Sequence, residues 1–198
     1  TPMKLSIQQL IASFNDKSKN FEEIFEKVSN TILNQIESLS SIASEFSRFA
    51  KMPSLKIEKV DLAAVSKDVM NLFIDEKISI TLEVNENVPL INADTSHVRR
   101  MLINMVRNSI QAGADKIILK IYSDDENCFL TIEDNGRGIP LEIRDKIFEQ
   151  NFTTKSAGMG IGLKLAKRFL DGIGGEIKLL ESINAGAKFQ ITFPIVKN

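Results

Sequence analysis

The sequence predicts an α+β protein, a helical hairpin followed by a two-layer α/β sandwich. Three patterns lead there. Between Phe21 and Phe49, apolar residues recur at steps of three and four over about four heptads, the period of a bundle seam. From Leu55 onward, short runs alternating apolar and polar residues are interleaved with amphipathic helical runs. Finally, polar clusters join consecutive strands into hairpins, which makes the sheet mixed and largely antiparallel. The boundary is expected at Pro53-Ser54, giving a hairpin over 1–53 and the sandwich over 54–198.

Each element has a local reason. Thr1 to Phe14 places Leu5, Ile7, Leu10, Ile11 and Phe14 near helical spacing, and Asn15 to Ser18 is a turn. Asn20 is a plausible N-cap for a helix to about Lys51, with Glu22 and Glu23 at its positive end. Its stripe is Phe21, Ile24, Phe25, Val28, Ile32, Ile36, Leu39, Ile42, Phe46 and Phe49, and Pro53 ends it. The first helix is too short to cover such a seam. A homodimeric four-helix bundle would cover it, as would packing on the second domain. Lys56 to Val60 reads as a short strand. Asp61 caps a helix to about Glu76, Ile78 to Val84 is a strand, and Asn85 to Pro89 is a turn. Thr95 or Ser96 opens a helix to about Ala112. Lys116 to Tyr122 and Cys128 to Glu133 form a hairpin through Ser123 to Asn127. Leu141 to Phe148 is a short helix, and Gln150 to Gly160 has no periodicity. Ile161 to Asp171 is helical, Gly172 to Gly175 breaks it, and Glu176 to Leu180 and Lys188 to Pro194 are strands around Asn184-Ala185-Gly186.

Composition narrows the classes. The chain has 198 residues, 43% of them hydrophobic, and a net charge of −1, so nothing draws it to nucleic acid or an acidic membrane face. One cysteine, Cys128, rules out an internal disulfide framework and fits a reducing compartment; its strand position suits packing better than nucleophilic chemistry. No apolar run reaches the roughly 18 residues of a membrane span, and no signal peptide is visible. A helical pattern already running at Thr1 suggests a fragment of something longer.

Three stretches carry chemistry. On the helix ending near Ala112, Arg100, Asn104, Asn108 and Gln111 share a face opposite the core stripe of Val98, Met101, Leu102 and Met105. Two asparagines one turn apart are poor helix formers, and an Asn oxygen is a hard neutral donor able to help hold Mg²⁺ beside phosphate oxygens. A solvated polar face would look the same. Next, Asp134-Asn-Gly-Arg-Gly-Ile-Pro140 follows a strand: a carboxylate, then glycines at 136 and 138 that let backbone approach a flat ligand. In a closed pocket that carboxylate would choose a base with an exocyclic amine, adenine over guanine. An ordinary turn has the same composition. Third, Gly158-Met-Gly-Ile-Gly162 opens a helix, where freed N–H groups make an anion cradle, with Thr153, Thr154 and Lys155 just before it. The spacing fits neither a P-loop nor a Rossmann turn, and a glycine linker would match it. His97, the only histidine, opens the helix that carries the asparagines and is read as a surface or capping residue.

Asn104-Met-Val-Arg-Asn108, Asp134-Asn-Gly-Arg-Gly138, Phe148-Glu-Gln-Asn-Phe152 and Gly158-Met-Gly-Ile-Gly162-Leu163, in this order and spacing, closely resemble the N, G1, F and G2 boxes of the sensor histidine kinase ATP-binding domain. That domain is of Bergerat type and is shared with gyrase, Hsp90 and MutL. The resemblance runs from about Ser54 to Val196. Thr1-Pro-Met-Lys-Leu-Ser resembles the segment just after the phosphoacceptor histidine of the dimerisation domain, in NtrY-like nitrogen-regulation kinases above all.

The resemblance implies ATP and Mg²⁺ as ligands, with Asn108 on the metal. Asn104 and Lys155 would act at the phosphates, and Asp134 would bind the adenine amine, with Gly136, Gly138 and Ile139 beside it. Phe148 and Phe152 would belong to the F box bordering a lid over Gln150 to Gly160, and Thr153 and Thr154 could reach a terminal phosphate. Gly158, Met159, Gly160, Ile161, Gly162 and Leu163 would line the triphosphate, near Gln111. Asn104 lies where gyrase-type relatives place a catalytic Glu, which favours phosphoryl transfer over hydrolysis. Two positions depart from the pattern: Gln111 replaces a frequent basic residue, and Ala187 a frequent Thr. The implied protein is a cytoplasmic kinase region, in a bacterial sensor with a membrane anchor upstream, that dimerises through the hairpin and passes phosphate to a response regulator receiver domain. The fragment itself would bind ATP or ADP without autophosphorylating, touching neither membrane nor nucleic acid. Other readings are a nucleotide-sensing interaction module and a gyrase- or MutL-like ATPase.

Overall fold

The computed structural model describes residues 2–16, 20–50, 55–149, 162–182 and 186–195, with the backbone alone for 2–4 and 37–50. The chain divides into two compact units, Thr1–Ser54 and Leu55–Asn198.

The first unit is an antiparallel pair, α1 (Pro2–Asn15) and α2 (Phe21–Ala50). Val28 and Ser13 are buried in it, and Phe14, Phe21 and Phe25 form a tilted aromatic series with centroids 5.7 and 5.9 Å apart. The stripe on α2 is only partly covered. Phe21, Ile24 and Ile32 are half-buried, whereas Phe25 and Ile36 are exposed.

The second unit runs β1 (Glu58–Val60), α3 (Leu62–Asn71), β2 (Ser79–Val84), β3 (Ile91–Ala93), α4 (Thr95–Gln111), β4 (Lys116–Ser123), β5 (Asn127–Asp134), a 3₁₀ turn (Leu141–Lys146), α5 (Gly162–Gly172), β6 (Glu176–Leu180) and β7 (Lys188–Pro194). Five strands form one sheet in the order β2-β4-β5-β7-β6. The β2–β4 pair is parallel and the rest are antiparallel, so the sheet is mixed and largely antiparallel, as the hairpin signals predict. Alternation sorts the strands by face. Ile117, Leu119 and Ile121 of β4, Cys128, Leu130 and Ile132 of β5, and Phe189, Ile191 and Phe193 of β7 are buried. They form one core with Leu62, Val65 and Val69 of α3, Val98, Leu102 and Met105 of α4, and Phe169 and Leu170 of α5. Burial of each such side chain contributes about 1.5–3 kcal/mol. Burial also pushes the Cys128 thiol up to about 11, so it is a packing residue.

Several boundaries differ from the periodicity. The helix capped by Asp61, whose carboxylate accepts from the N–H of Ala63 and Ala64, ends at Asn71 rather than Glu76. Its last turn tightens into Leu72 N–H to Val69 O and Phe73 N–H to Met70 O bonds, and Phe73 stays buried beyond it. β1 covers only Glu58–Val60. Its partner β3 was not anticipated, because three residues are too few to show alternation. Helix α4 opens at Thr95, as the sequence predicts, and its cap is Asp94, a residue not anticipated there. The segment after Pro140 is a 3₁₀ turn to Lys146, with no side-chain cap to nucleate a longer helix.

Candidate functional site

Helix α4 and strand β5 place the central residues. α4 buries Val98, Met101, Leu102 and Met105 against the sheet, as its period requires. That burial turns Asn104 and Asn108 to another face, both half-buried, while Gln111 is exposed. β5 ends on Asp134, whose side chain points to the core side and is buried.

Three donors hold the Asp134 carboxylate. Oδ1 accepts from the N–H of Gly136 at 2.9 Å and of Ala187 at 3.2 Å. Oδ2 accepts from the Ser109 hydroxyl at 2.7 Å. The Asp134 N–H donates in turn to Ala187 O at 2.9 Å, which fixes β5 against the start of β7. Gly186 is pressed on this point: a Cβ there would overlap the Asp134 carbonyl, so only glycine fits. Beyond Asp134, the Asn135 amide oxygen accepts from the N–H of Asp115 and Lys116, and its nitrogen donates to Asp115. The Arg137 N–H bonds to Ala112 O, so the loop is tied to the end of α4. Gly138 has φ +70°, in the left-handed region, and Ile139 packs on the core while its carbonyl accepts from Arg144 Nε.

The other half is the start of α5. A Cβ at Gly162 would collide with the Asn104 amide, so α4 and α5 meet there through a side chain on one helix and a bare backbone on the other. Asn104 Nδ2 is buried and has no hydrogen-bond partner among the described residues, which leaves a donor at the Gly162 N-terminus of α5. Leu163 is half-buried against the core. Phe148 meets Phe189 edge-on at 6.4 Å, with Lys167 Nζ 5.9 Å from its ring centroid.

Thus Asn104, Asn108, Gln111, Asp134, Gly136, Gly138, Ile139, Gly162 and Leu163 lie on the described residues. Phe152, Thr153, Thr154, Lys155, Gly158, Met159, Gly160 and Ile161 lie outside them. Ser109 and Gly186 escaped the sequence reading. Ser109 has no signature beyond a polar residue facing the core side of α4, and Gly186 looked like an ordinary turn glycine. Ala187, read only as a departure from pattern, contributes through its backbone. His97 is not a surface or capping residue. The cap is Asp94; the half-buried His97 ring lies 3.1 Å from Asp94 through Nδ1 and stacks on Phe169 at 5.2 Å.

Residues 93–197 match the family described as histidine kinase-, DNA gyrase B- and HSP90-like ATPase, over more than half of the chain. The chain belongs to this ATPase family. A sensor histidine kinase described as NtrY-like from Rickettsia bellii is 29% identical over 199 residues, covering 98% of this chain and 32% of its own length. The signal transduction histidine-protein kinase AtoS of Escherichia coli strain K12 is 27% identical over 90% of this chain and 31% of its own length. The chain therefore spans about a third of these relatives. The nucleotide-free catalytic domain of histidine kinase ThkA superposes with TM-score 0.64 at 27% identity, covering 70% of this chain and 95% of that one. ThkA in complex with the response regulator protein TrrA gives 0.74 at 25% identity, covering 98% and 58%. The α+β architecture is that of histidine kinase catalytic domains.

Proposed function

We propose that the chain is the Mg-ATP-binding, phosphoryl-transferring part of a sensor histidine kinase, joined to a segment of its dimerisation hairpin. On this reading residues 1–53 belong to the hairpin and 54–198 to the ATP-binding domain. The observation that carries it is the Asp134 carboxylate, buried and held by three donors with acceptor capacity left over. A carboxylate offers about four lone-pair sites, so an exocyclic amine has a place to bond. The second half of the site also fits the triphosphate. The orphaned Asn104 Nδ2 suits an anionic oxygen, and Gly162 removes the bulk that would block approach to the α5 N-terminus.

Asn108 would hold Mg²⁺ through its amide oxygen; the ion supplies charge neutralisation at the phosphates. Asn104 and Lys155 act at the phosphates, and Gly158 to Leu163 cradle them. The residues at 104 and 108 are amides, and neither can take a proton from water, so the site positions phosphate for an acceptor rather than hydrolysing it. The acceptor is a histidine nitrogen of the longer protein. It is not His97, whose ring is covered by Asp94 and Phe169. From that histidine the phosphate passes to a response regulator aspartate, in line with the ThkA–TrrA complex. Leu5, Ile11, Phe14, Leu33 and Ile36 are each more than half exposed, a face that a second hairpin would cover to complete a four-helix bundle. Among the described residues no helix is long and apolar enough to cross a membrane, in keeping with a kinase region on the cytoplasmic side.

Calorimetry with magnesium and ATP tests the reading. The chain is expected to bind, and Asn108→Ala to lose most of the magnesium-dependent part of the affinity. No acid-labile label should appear on the chain with γ-labelled ATP. Absence of any heat of binding from the parent chain rejects the assignment.

A further inference from the structure

We propose that Ser109 is a positioning residue that sets nucleobase selectivity through Asp134, an inference that rests on reading Asp134 as the carboxylate facing the purine. Ser109 and Asp134 are both buried, 4% and 6% exposed, and 2.7 Å apart between Oγ and Oδ2. The other two donors on the carboxylate, Gly136 N–H and Ala187 N–H, are main-chain groups and both fall on Oδ1. Ser109 is therefore the one side chain among these three donors, and the one that controls Oδ2.

A hydroxyl donating to Oδ2 fixes that oxygen as an acceptor. The free lone pair beside it then demands a donor from the ligand. A 6-amino purine brings one. A 6-oxo purine brings an oxygen, and two acceptors facing each other in a dry pocket are left unpaired. Without Ser109, the space left beside Oδ2 admits a water that can donate both to the carboxylate and to a 6-oxo group, so the penalty on the wrong base relaxes. Ser109 thus works by excluding the wrong base as much as by holding the right one.

The test compares the affinities of the full chain for Mg-ATP and Mg-ITP, the 6-oxo counterpart, in the parent, Ser109→Ala and Ser109→Thr, with thermal denaturation as a check on folding. Ser109→Ala is expected to weaken ATP about tenfold and leave ITP little changed, so that the ATP:ITP ratio narrows about tenfold; Ser109→Thr keeps the hydroxyl and the parental ratio. Should the alanine variant not fold, Ser109→Cys keeps the volume with a much weaker donor and is expected to narrow the ratio in the same direction. Equal losses for both nucleotides would make Ser109 merely structural and overturn the proposal, as would an unchanged ratio. A parental preference for ATP that Asp134→Asn abolishes but Ser109→Ala leaves intact overturns the Ser109 role alone. A parent with no preference overturns the reading of Asp134 and the Ser109 role with it.

Discussion

Two buried aspartates flank α4, and they are held in different ways. Asp94 stands before its first turn, where unpaired N–H groups and the helix dipole welcome a negative charge. Its Oδ1 accepts from the N–H of Ser96 and His97 and from the Ser96 hydroxyl, and its Oδ2 from the Lys56 N–H. Burial alone would raise its carboxyl, but the hydrogen bonds from Ser96, His97 and Lys56 win and hold it well below the usual carboxylate range. Asp134 adjoins the last turn, where the dipole opposes an anion, and it relies on one hydroxyl and two strand and loop amides. One aspartate starts a helix where starting is easy. The other sits near the last turn of a helix and keeps bonding capacity in reserve, which the proposed adenine contact would use.

The contrast can be broken at either end. The largest effect is expected from Asp134→Ala, which should weaken ATP binding at least about a hundredfold by calorimetry, while Asp94→Ala, assayed on folded chain, changes it by less than about threefold. Next in size, Asp94→Ala should cost about 2–4 kcal/mol of stability in chemical denaturation. It removes an N-cap worth about 1 kcal/mol and leaves the Lys56 N–H, two residues before β1, without its partner. Acid offers a finer test. The folded Asp94 pKa lies below the ordinary value of 3.8. Its contribution is therefore fully present above that value and is lost as pH falls toward the folded value. The parent should lose stability below about pH 4 more steeply than Asp94→Asn, which a denaturation midpoint series would reveal. The smallest change is expected from Arg99→Ala. Its ion pair with Asp68 on α3 is 2.7 Å long but exposed, and its loss should cost under about 0.5 kcal/mol.

Much of this arrangement was legible beforehand. The five-strand sheet and the α4 stripe were readable because alternation and 3.6-residue spacing survive in runs of five or more residues. Asp134 and the Asn104–Asn108 pair stood out because a carboxylate closing a strand before two glycines, and two poor helix formers one turn apart, break the local pattern. The misses are contacts made across the fold. Asp94 went unseen because its cap is inseparable from β3, three residues that only β1 makes into a strand. Ser109 looked like a helix residue among others until β5 brought Asp134 beside it. Gly186 reads as a loop glycine, and its necessity appears only where its backbone lies against Asp134.

Cys128 has a practical consequence. It is the sole thiol, fully enclosed in the sheet core, and pushed up to about 11. Maleimides and iodoacetamides react through the thiolate of an accessible sulfur, so the native chain should be nearly inert to them. Any cysteine placed on the surface then becomes a single addressable handle, and dyes or spin labels can report on α4 and α5 without first removing the native residue.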